Sequence, residues 1–554
     1  MKKVSRRNFL KVVGASAAVS TLAGLLSGCG SASSGSMAAG TAGSASTSSQ
    51  GAAADVVNIG STGSLSSLNP LLIDATLMAQ YADMLQFSPL VAMNENVDFD
   101  MMLADKIETE DNLTYTVHIN EDAKWSDGEP ITASDVKFTL TRLASSVIAN
   151  PTMGLSSLVG TDDDTGYLPE GVTELEGVQA VDEKTCTFTF KYAVNRISFL
   201  NSYAQYFFIV PEHVLKDVSE KDLTTYDWFN APTVVSGPYI CTGKDNDHYV
   251  SYKANEAYWK GAPKIANLNI KIVEGAQLLT GLQSGELDIV PPLLGTINQS
   301  DYESVLSLPN VEAGYGDAYS VEGLFINCKT IPEAEIRQAL LIGLDRQTII
   351  DGLLGGEADL CDGFAVPAGP YASGLTPTAF DAGKAAELVK TATANGWDAS
   401  KTYELYLNSG EDILINAATV AQTYWKAAGI NVNINTVDLG TLMGMAEGGK
   451  GDMYGVQYTY PPVDPTIDIQ YVLGSWCGYE SDTVTQNLDT MLSTNDTDTY
   501  KKALAAIDEE MQANVPIVDL YVSGSLGAVA KRLTGAKATV YGCLNNVETW
   551  TISQ

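Results

Sequence analysis

Residues 402–438 read TYELYLNSGEDILINAATVAQTYWKAAGINVNINTVD. The opening seven alternate polar and apolar side chains, the period of a half-buried strand. From Ile413 the apolar positions recur at helical spacing as far as Gly429, a residue suited to the left-handed turn that ends a helix. INVNINTVD (430–438) alternates again. Strand, helix, strand is the unit that lays two parallel strands in one sheet. The next strand, DMYGVQYTY (452–460), places Tyr454, Val456, Tyr458 and Tyr460 on one face. The second half of the chain is therefore α/β, and ligands of open α/β sheets bind beside the carboxyl ends of such strands. That puts the corner YTYPPVDP (458–465) where recognition is expected. Tyr458 and Tyr460 are the expected ligand-binding residues, because each offers a flat apolar face and a hydroxyl. Trp476, in GSWCGYES (474–481), is a further one.

Working outward, Pro332 opens EAEIRQALLIGLDRQTIIDGLLGG, which has helical spacing and stops at Gly355-Gly356. The first half is richer in strands: LTYTVHI (113–119) and TCTFTFKY (185–192) alternate, and KDNDHYVSYKAN (244–255) has the polar tip of a hairpin. Asp127-Gly128 marks a turn, and Thr132 with Asp135 predicts a capped helix running to about Leu143.

The amino terminus sets the compartment. MKKVSRRNFLK carries five positive charges, and Val12–Leu26 is apolar but shorter than the ~20 residues of a membrane span. These are the flanks of an export signal, by the general or, from Ser5–Lys11, the twin-arginine route. Residues 1–28 are read as a lipoprotein signal peptide, with lipid attachment at Cys29 after Leu26-Ser27-Gly28. Two acyl chains hold a protein stably on a membrane. Residues 29–54, almost wholly Gly, Ser, Ala and Thr, cannot bury enough surface to fold and are read as a flexible tether. The expected location is extracytoplasmic, lipid-anchored to the outer face of the cytoplasmic membrane.

The body beyond residue 55 exceeds the roughly 250–300 residues that one core serves, so at least two lobes are expected. Removing the five basic residues of the leader takes the formal charge from −35 to −40. Nucleic acid is disfavoured as a partner, since phosphate contacts need clustered lysine and arginine. Six cysteines follow Cys29 without a CxxC spacing, which argues against zinc and redox centres and leaves disulfide pairing open. His118, His213 and His248 lie far apart, and hydrolase, metalloprotease and phosphate-loop motifs do not occur. Asp162-Asp163-Asp164-Thr165-Gly166 lacks the glycine and closing acid of a calcium loop. No catalytic residue, cofactor or metal is expected.

The order of segments resembles the peptide, nickel and opine type of extracellular solute-binding protein, the lipoprotein receptor of an ABC importer. The resemblance is carried by W-x-DG then T-x-x-DV within 125–136, SGPY at 236–239, and LFINCKTIPEAEIRQALLIGLDRQTIIDGLLGG at 324–356. AAGINVNINTVD and VDPT complete it. It implies a two-lobed α/β fold of the type II periplasmic-binding-protein kind, with mixed sheets and an extra subdomain in the first lobe. Lobe one would comprise 55–316 and 516–554, with the subdomain at about 96–228, and lobe two would be 317–515. PIVDLYVSG (516–524) would be the strand returning to lobe one, and Arg337 would sit in a buried ion pair. The implied partners are a short peptide or other small solute, the permease subunits with their ATPase, and the membrane through the lipid; a monomer is expected. In peptide-binding branches this strand end carries a Trp and then an Asp for the peptide amine. Aligned on Asp464-Pro465, those slots hold Tyr458 and Pro461, so the usual amine partner is missing. This leaves open a modified amine, a sugar-like compound or a metal chelate as solute, or a surface sensor or adhesin on the same scaffold.

Overall fold

The structure, a computed structural model, describes residues 56–73, 76–150 and 155–553. The leader, Cys29 and the tether fall outside the described residues. Two mixed sheets organise the chain. The first has seven strands in the order Val311–Tyr315, Leu526–Ala530, Ile289–Val290, Val56–Ser61, Asn267–Ile272, Tyr249–Ala254 and Tyr239–Asp245. Val56–Ser61 runs parallel to Asn267–Ile272, and the predicted hairpin forms its far edge. The second has five strands in the order Asn431–Val437, Thr402–Asn408, Met453–Thr459, Ser320–Ile326 and Ile517–Ser523.

The strand–helix–strand unit is present as predicted. Thr402–Asn408 is parallel to Asn431–Val437 in full register, and the helix Asp412–Ala428 between them ends at Gly429 with φ +93°. Helices cover this sheet on both faces. Leu324, Ile326, Leu405 and Met453 pack with Leu414 and Trp425 on one side. Phe325, Tyr454, Val456 and Tyr458 pack with Trp476 and Leu504 on the other. A separate antiparallel sheet of Ala104–Glu108, Thr114–Ile119, Thr185–Thr189 and Val178–Ala180 carries the helix Ala133–Leu143. That helix starts with the reciprocal Thr132/Asp135 cap, and the turn before it closes through Gly128 at φ +96°. Among the described residues no helix is long and apolar enough to cross a membrane, and the six cysteines are free thiols.

Two expectations need correction. Ile517–Ser523 does not return to the first sheet; it pairs antiparallel with Ser320–Ile326 as an edge of the second. The return comes at Leu526–Ala530, which pairs with Ile289–Val290 and Val311–Tyr315. Alternation predicted the strand but carries no information on which sheet it joins. Arg337 is buried, yet its guanidinium donates to the carbonyls of Asn514, Ile331 and Pro332 rather than to a carboxylate.

The chain thus crosses between the sheets twice, at 316–319 and at 524–525, and the two crossings touch. Gly316 N–H donates to the Ser525 carbonyl at 2.9 Å, and a Cβ on Gly524 would lie 1.9 Å from the Gly316 carbonyl oxygen. Only hydrogen fits there. Gly524→Ala is expected to lower stability by about 1–3 kcal/mol, the usual range for overpacking, read as a lower midpoint in urea unfolding.

Candidate ligand-binding cleft

The carboxyl ends of Thr402–Asn408 and Met453–Thr459 face a cavity of about 1560 Å³. That is larger than the roughly 300–1,000 Å³ of ordinary small-molecule sites. Both halves of the molecule wall it. Met84, Tyr192, Tyr206, Thr296, Asn298 and Tyr541 come from the side of the first sheet; Glu322, Glu411, Gln457, Pro461, Leu488 and Tyr521 come from the second.

The halves also meet directly along one rim. Ser198 donates its hydroxyl to Asp464, Asn195 Nδ2 donates to the Met491 carbonyl at 2.6 Å, and Arg196 N–H donates to Asn495 Oδ1 at 2.7 Å. Asp464 additionally accepts from Thr466 Oγ1 at 2.7 Å and Tyr500 Oη at 3.0 Å. It is a turn residue with its acceptors already engaged, as its place before Pro465 suggests.

The three predicted ligand-binding side chains are brought together, but in the core. Tyr458 and Tyr460 are 0% exposed and Trp476 is 2% exposed. Their ring centroids are 5.2 Å (Tyr458–Tyr460) and 5.7 Å (Tyr458–Trp476) apart, with Phe325 4.9 Å from Trp476. The period-two rule correctly put Tyr454, Val456, Tyr458 and Tyr460 on one face, but that face packs under helices. The opposite face reaches the cavity, through Gln457 and Thr459. Tyr458 touches the cavity only at second hand, by donating its hydroxyl to Asp468, which lines the wall. Pro461, in the slot of the absent amine partner, is half-buried and also lines the wall.

Sequence reasoning missed Glu322, Glu411 and Tyr521. Gln457 Nε2 donates to Glu322 Oε1 at 2.9 Å, while Gln457 N–H and Asn408 Nδ2 donate to Glu411 at 2.9 and 2.8 Å. Burial pushes the Glu322 carboxyl up to about 8, with the neighbouring Glu411 adding to the rise; burial raises Glu411 as well. A signal was available: Glu322 interrupts the otherwise uncharged strand SVEGLFI (320–326), every residue of which is buried. Around the whole cavity stand eight acidic side chains and, among the described residues, no lysine, arginine or histidine. The field inside favours a neutral or cationic guest and opposes an anionic one.

Relatives agree with this architecture. A Brucella ovis protein, whose name proposes peptide binding for an ABC transporter, is 26% identical over 380 residues, 66% of this chain and 66% of its own length. The oligopeptide-binding protein AppA of Bacillus subtilis is 24% identical over 497 residues, 84% of this chain and 86% of its own. Its structure with a nonapeptide superposes with a TM-score of 0.68 at 21% identity, over 90% of this chain and 99% of that one. The ABC transporter substrate-binding protein CtaP of Listeria monocytogenes superposes with a TM-score of 0.76 at 22% identity, over 90% and 99%. The fold is accordingly the two-lobed, type II periplasmic-binding-protein fold that the sequence predicts. A profile described as bacterial extracellular solute-binding proteins, family 5 Middle, matches residues 99–479, well over half of the chain. That family acts outside the cytoplasm and consists of binding proteins, not enzymes. The chain belongs to the bacterial extracellular solute-binding proteins of family 5.

Proposed function

We propose that this protein is the substrate-binding component of an ABC importer, tethered to the outer face of the cytoplasmic membrane by lipid on Cys29. It takes a short peptide between the two lobes and hands it, as a monomer, to permease subunits driven by their ATPase. The observation that carries the reading is the cavity itself: about 1560 Å³, walled by both sheets and set at strand carboxyl ends. A guest touching both walls stabilises the closed arrangement by the contacts it makes only there. The rim bonds from Asn195, Arg196 and Ser198 to the segment 464–495 join the same two walls directly, and the guest's contacts add to them.

A second reading, a non-peptide cationic solute, is favoured by the lining. A peptide carries a terminal carboxylate, and among the described residues the wall holds eight acids and no basic group to receive it. Thermal unfolding of the purified full-length protein with a di- to pentapeptide pool decides between them. A guest at 100 times its dissociation constant adds about 2.7 kcal/mol, so the transition is expected to move clearly upward. No movement at millimolar pool concentration would remove peptides as the cargo.

A further inference from the structure

Gln457, Glu322 and Tyr521 are register partners on three neighbouring strands of the second sheet. Partners in register project from the same face. Deeper in the sheet that face is covered by the helix Asp412–Ala428. The cover starts only at Asp412, so at the carboxyl edge the row opens onto the cavity, together with Glu411.

Bonding within the row is incomplete. Glu322 is 5% exposed; its Oε1 accepts from Gln457, but its Oε2 is buried with no partner among the described residues. Glu411 has both oxygens engaged, by Asn408 and by the Gln457 backbone. Tyr521, 1% exposed, holds a buried hydroxyl that is likewise without a partner. Buried polar atoms in native proteins are nearly always satisfied, and these two, unlike the orphaned hydroxyl of Tyr460, belong to residues that line the cavity, where a guest can reach them.

We propose that Glu322, flanked by Glu411 and Tyr521, is the seat of a cationic nitrogen of the bound solute, an ammonium or guanidinium group. This rests on the cavity being the solute site. An ammonium brings donors and no acceptor, which suits the free carboxylate oxygen of Glu322 and a lone pair of the Tyr521 hydroxyl. Among the described residues no basic side chain lines the cavity to offset its carboxylates, so the positive charge has to arrive with the guest. The seat supplies the charge recognition that Pro461 cannot.

The titratable groups facing Glu322 are Glu411 and Tyr521, with the neutral amide of Gln457 between the two acids. Because burial holds the Glu322 proton up to about pH 8, an arriving cation displaces it. Affinity for a cation therefore rises with pH from 6 to 8 and does so less in Glu322→Gln.

The test is calorimetric titration of the full-length wild type and Glu322→Gln with a free-amine di- to pentapeptide pool lacking lysine and arginine, and with the same pool N-acetylated. The seat predicts that the wild type binds the free pool at least tenfold more tightly than the acetylated one. It also predicts that Glu322→Gln removes this preference, with a cooperative unfolding transition of the peptide-free variant showing that it is folded. Equal affinities in both proteins would overturn the seat and leave peptide binding standing. If neither pool binds the wild type, the peptide reading fails and spermidine decides the seat. Thermal protection by spermidine in the wild type, lost in Glu322→Gln, supports it, and absence of protection overturns it. Should Glu322→Gln unfold, Tyr521→Phe, with an expected threefold or greater loss for the free pool alone, takes its place.

Discussion

Arg346→Ala is expected to lower folding stability by about 3–5 kcal/mol, the cost of stranding a buried charge. The Arg346 and Asp362 side chains are 1% and 4% exposed and meet at 2.7 Å. The same guanidinium donates to the carbonyls of Cys361 and Asp519 at 2.9 and 2.8 Å and to that of Thr378 at 3.0 Å. It thereby ties the loop 361–378 to the edge strand Ile517–Ser523. Two further buried acids share this pocket of structure. Asp508 accepts from the N–H groups of Phe364 and Ala365, and Asp519 from that of Gly363. Burial pushes both carboxyls up to about 7, and Asp362 adds to the rise in each. Folded values above the unfolded ones mean that the native state binds more protons between about pH 4 and 7. The stability these groups contribute is complete below their unfolded range and is lost as pH rises through 7. Removing Arg346 takes away the cation that offsets Asp362 and Asp519, so its deficit is expected to be larger at pH 8 than at pH 5.5. Urea unfolding of wild type and variant at both values measures it. Arg346→Lys is not expected to restore stability, because a single ammonium cannot reach the same fork of acceptors.

The elements legible in the sequence were those fixed by local chemistry. Gly429 ends its helix in the left-handed conformation, Thr132 and Asp135 cap theirs reciprocally, and the 402–438 unit forms its parallel pair. What stayed illegible was set by contacts remote in sequence. The strand at 517–523 joins the second sheet because it pairs with Ser320–Ile326, nearly 200 residues earlier, and its alternation would serve either sheet equally. The cleft was misread for a related reason. Period two states which residues share a face, not which face a helix covers, and this sheet is covered on both. Strand Met453–Thr459 accordingly buries six of its seven residues wholly or in part, leaving only Gln457 exposed, and the aromatic residues carry no mark of their destination. The position of the corner at strand carboxyl ends was read correctly. Its lining was not, because Glu322, which brings a buried carboxyl oxygen without a partner among the described residues to the cavity, lies on a neighbouring strand, far from the corner in sequence.

Tyr460→Ala separates the two readings of the corner. In the structure Tyr460 is 0% exposed, its ring 4.9 Å from that of Phe364 and 5.2 Å from that of Tyr458. Cutting a buried aromatic back to a methyl costs about 3–5 kcal/mol through lost burial and the void left behind. The expected result is a large fall in the unfolding midpoint of the unliganded protein, whatever happens to binding. A ligand-contacting tyrosine would behave in the opposite way, with weakened binding and an unchanged midpoint. Tyr460→Phe sharpens the distinction. The Tyr460 hydroxyl is buried without a hydrogen-bond partner among the described residues, and an unsatisfied buried hydroxyl is a penalty that phenylalanine does not carry. Tyr460→Phe is therefore expected to be neutral or slightly stabilising, with binding of the peptide pool unaffected. A hydroxyl that met the guest would lose affinity on the same change. The corner would then be a platform whose aromatic rings fix the strand end from behind, while Gln457, Glu322 and Tyr521 face the solute from the other side of the sheet.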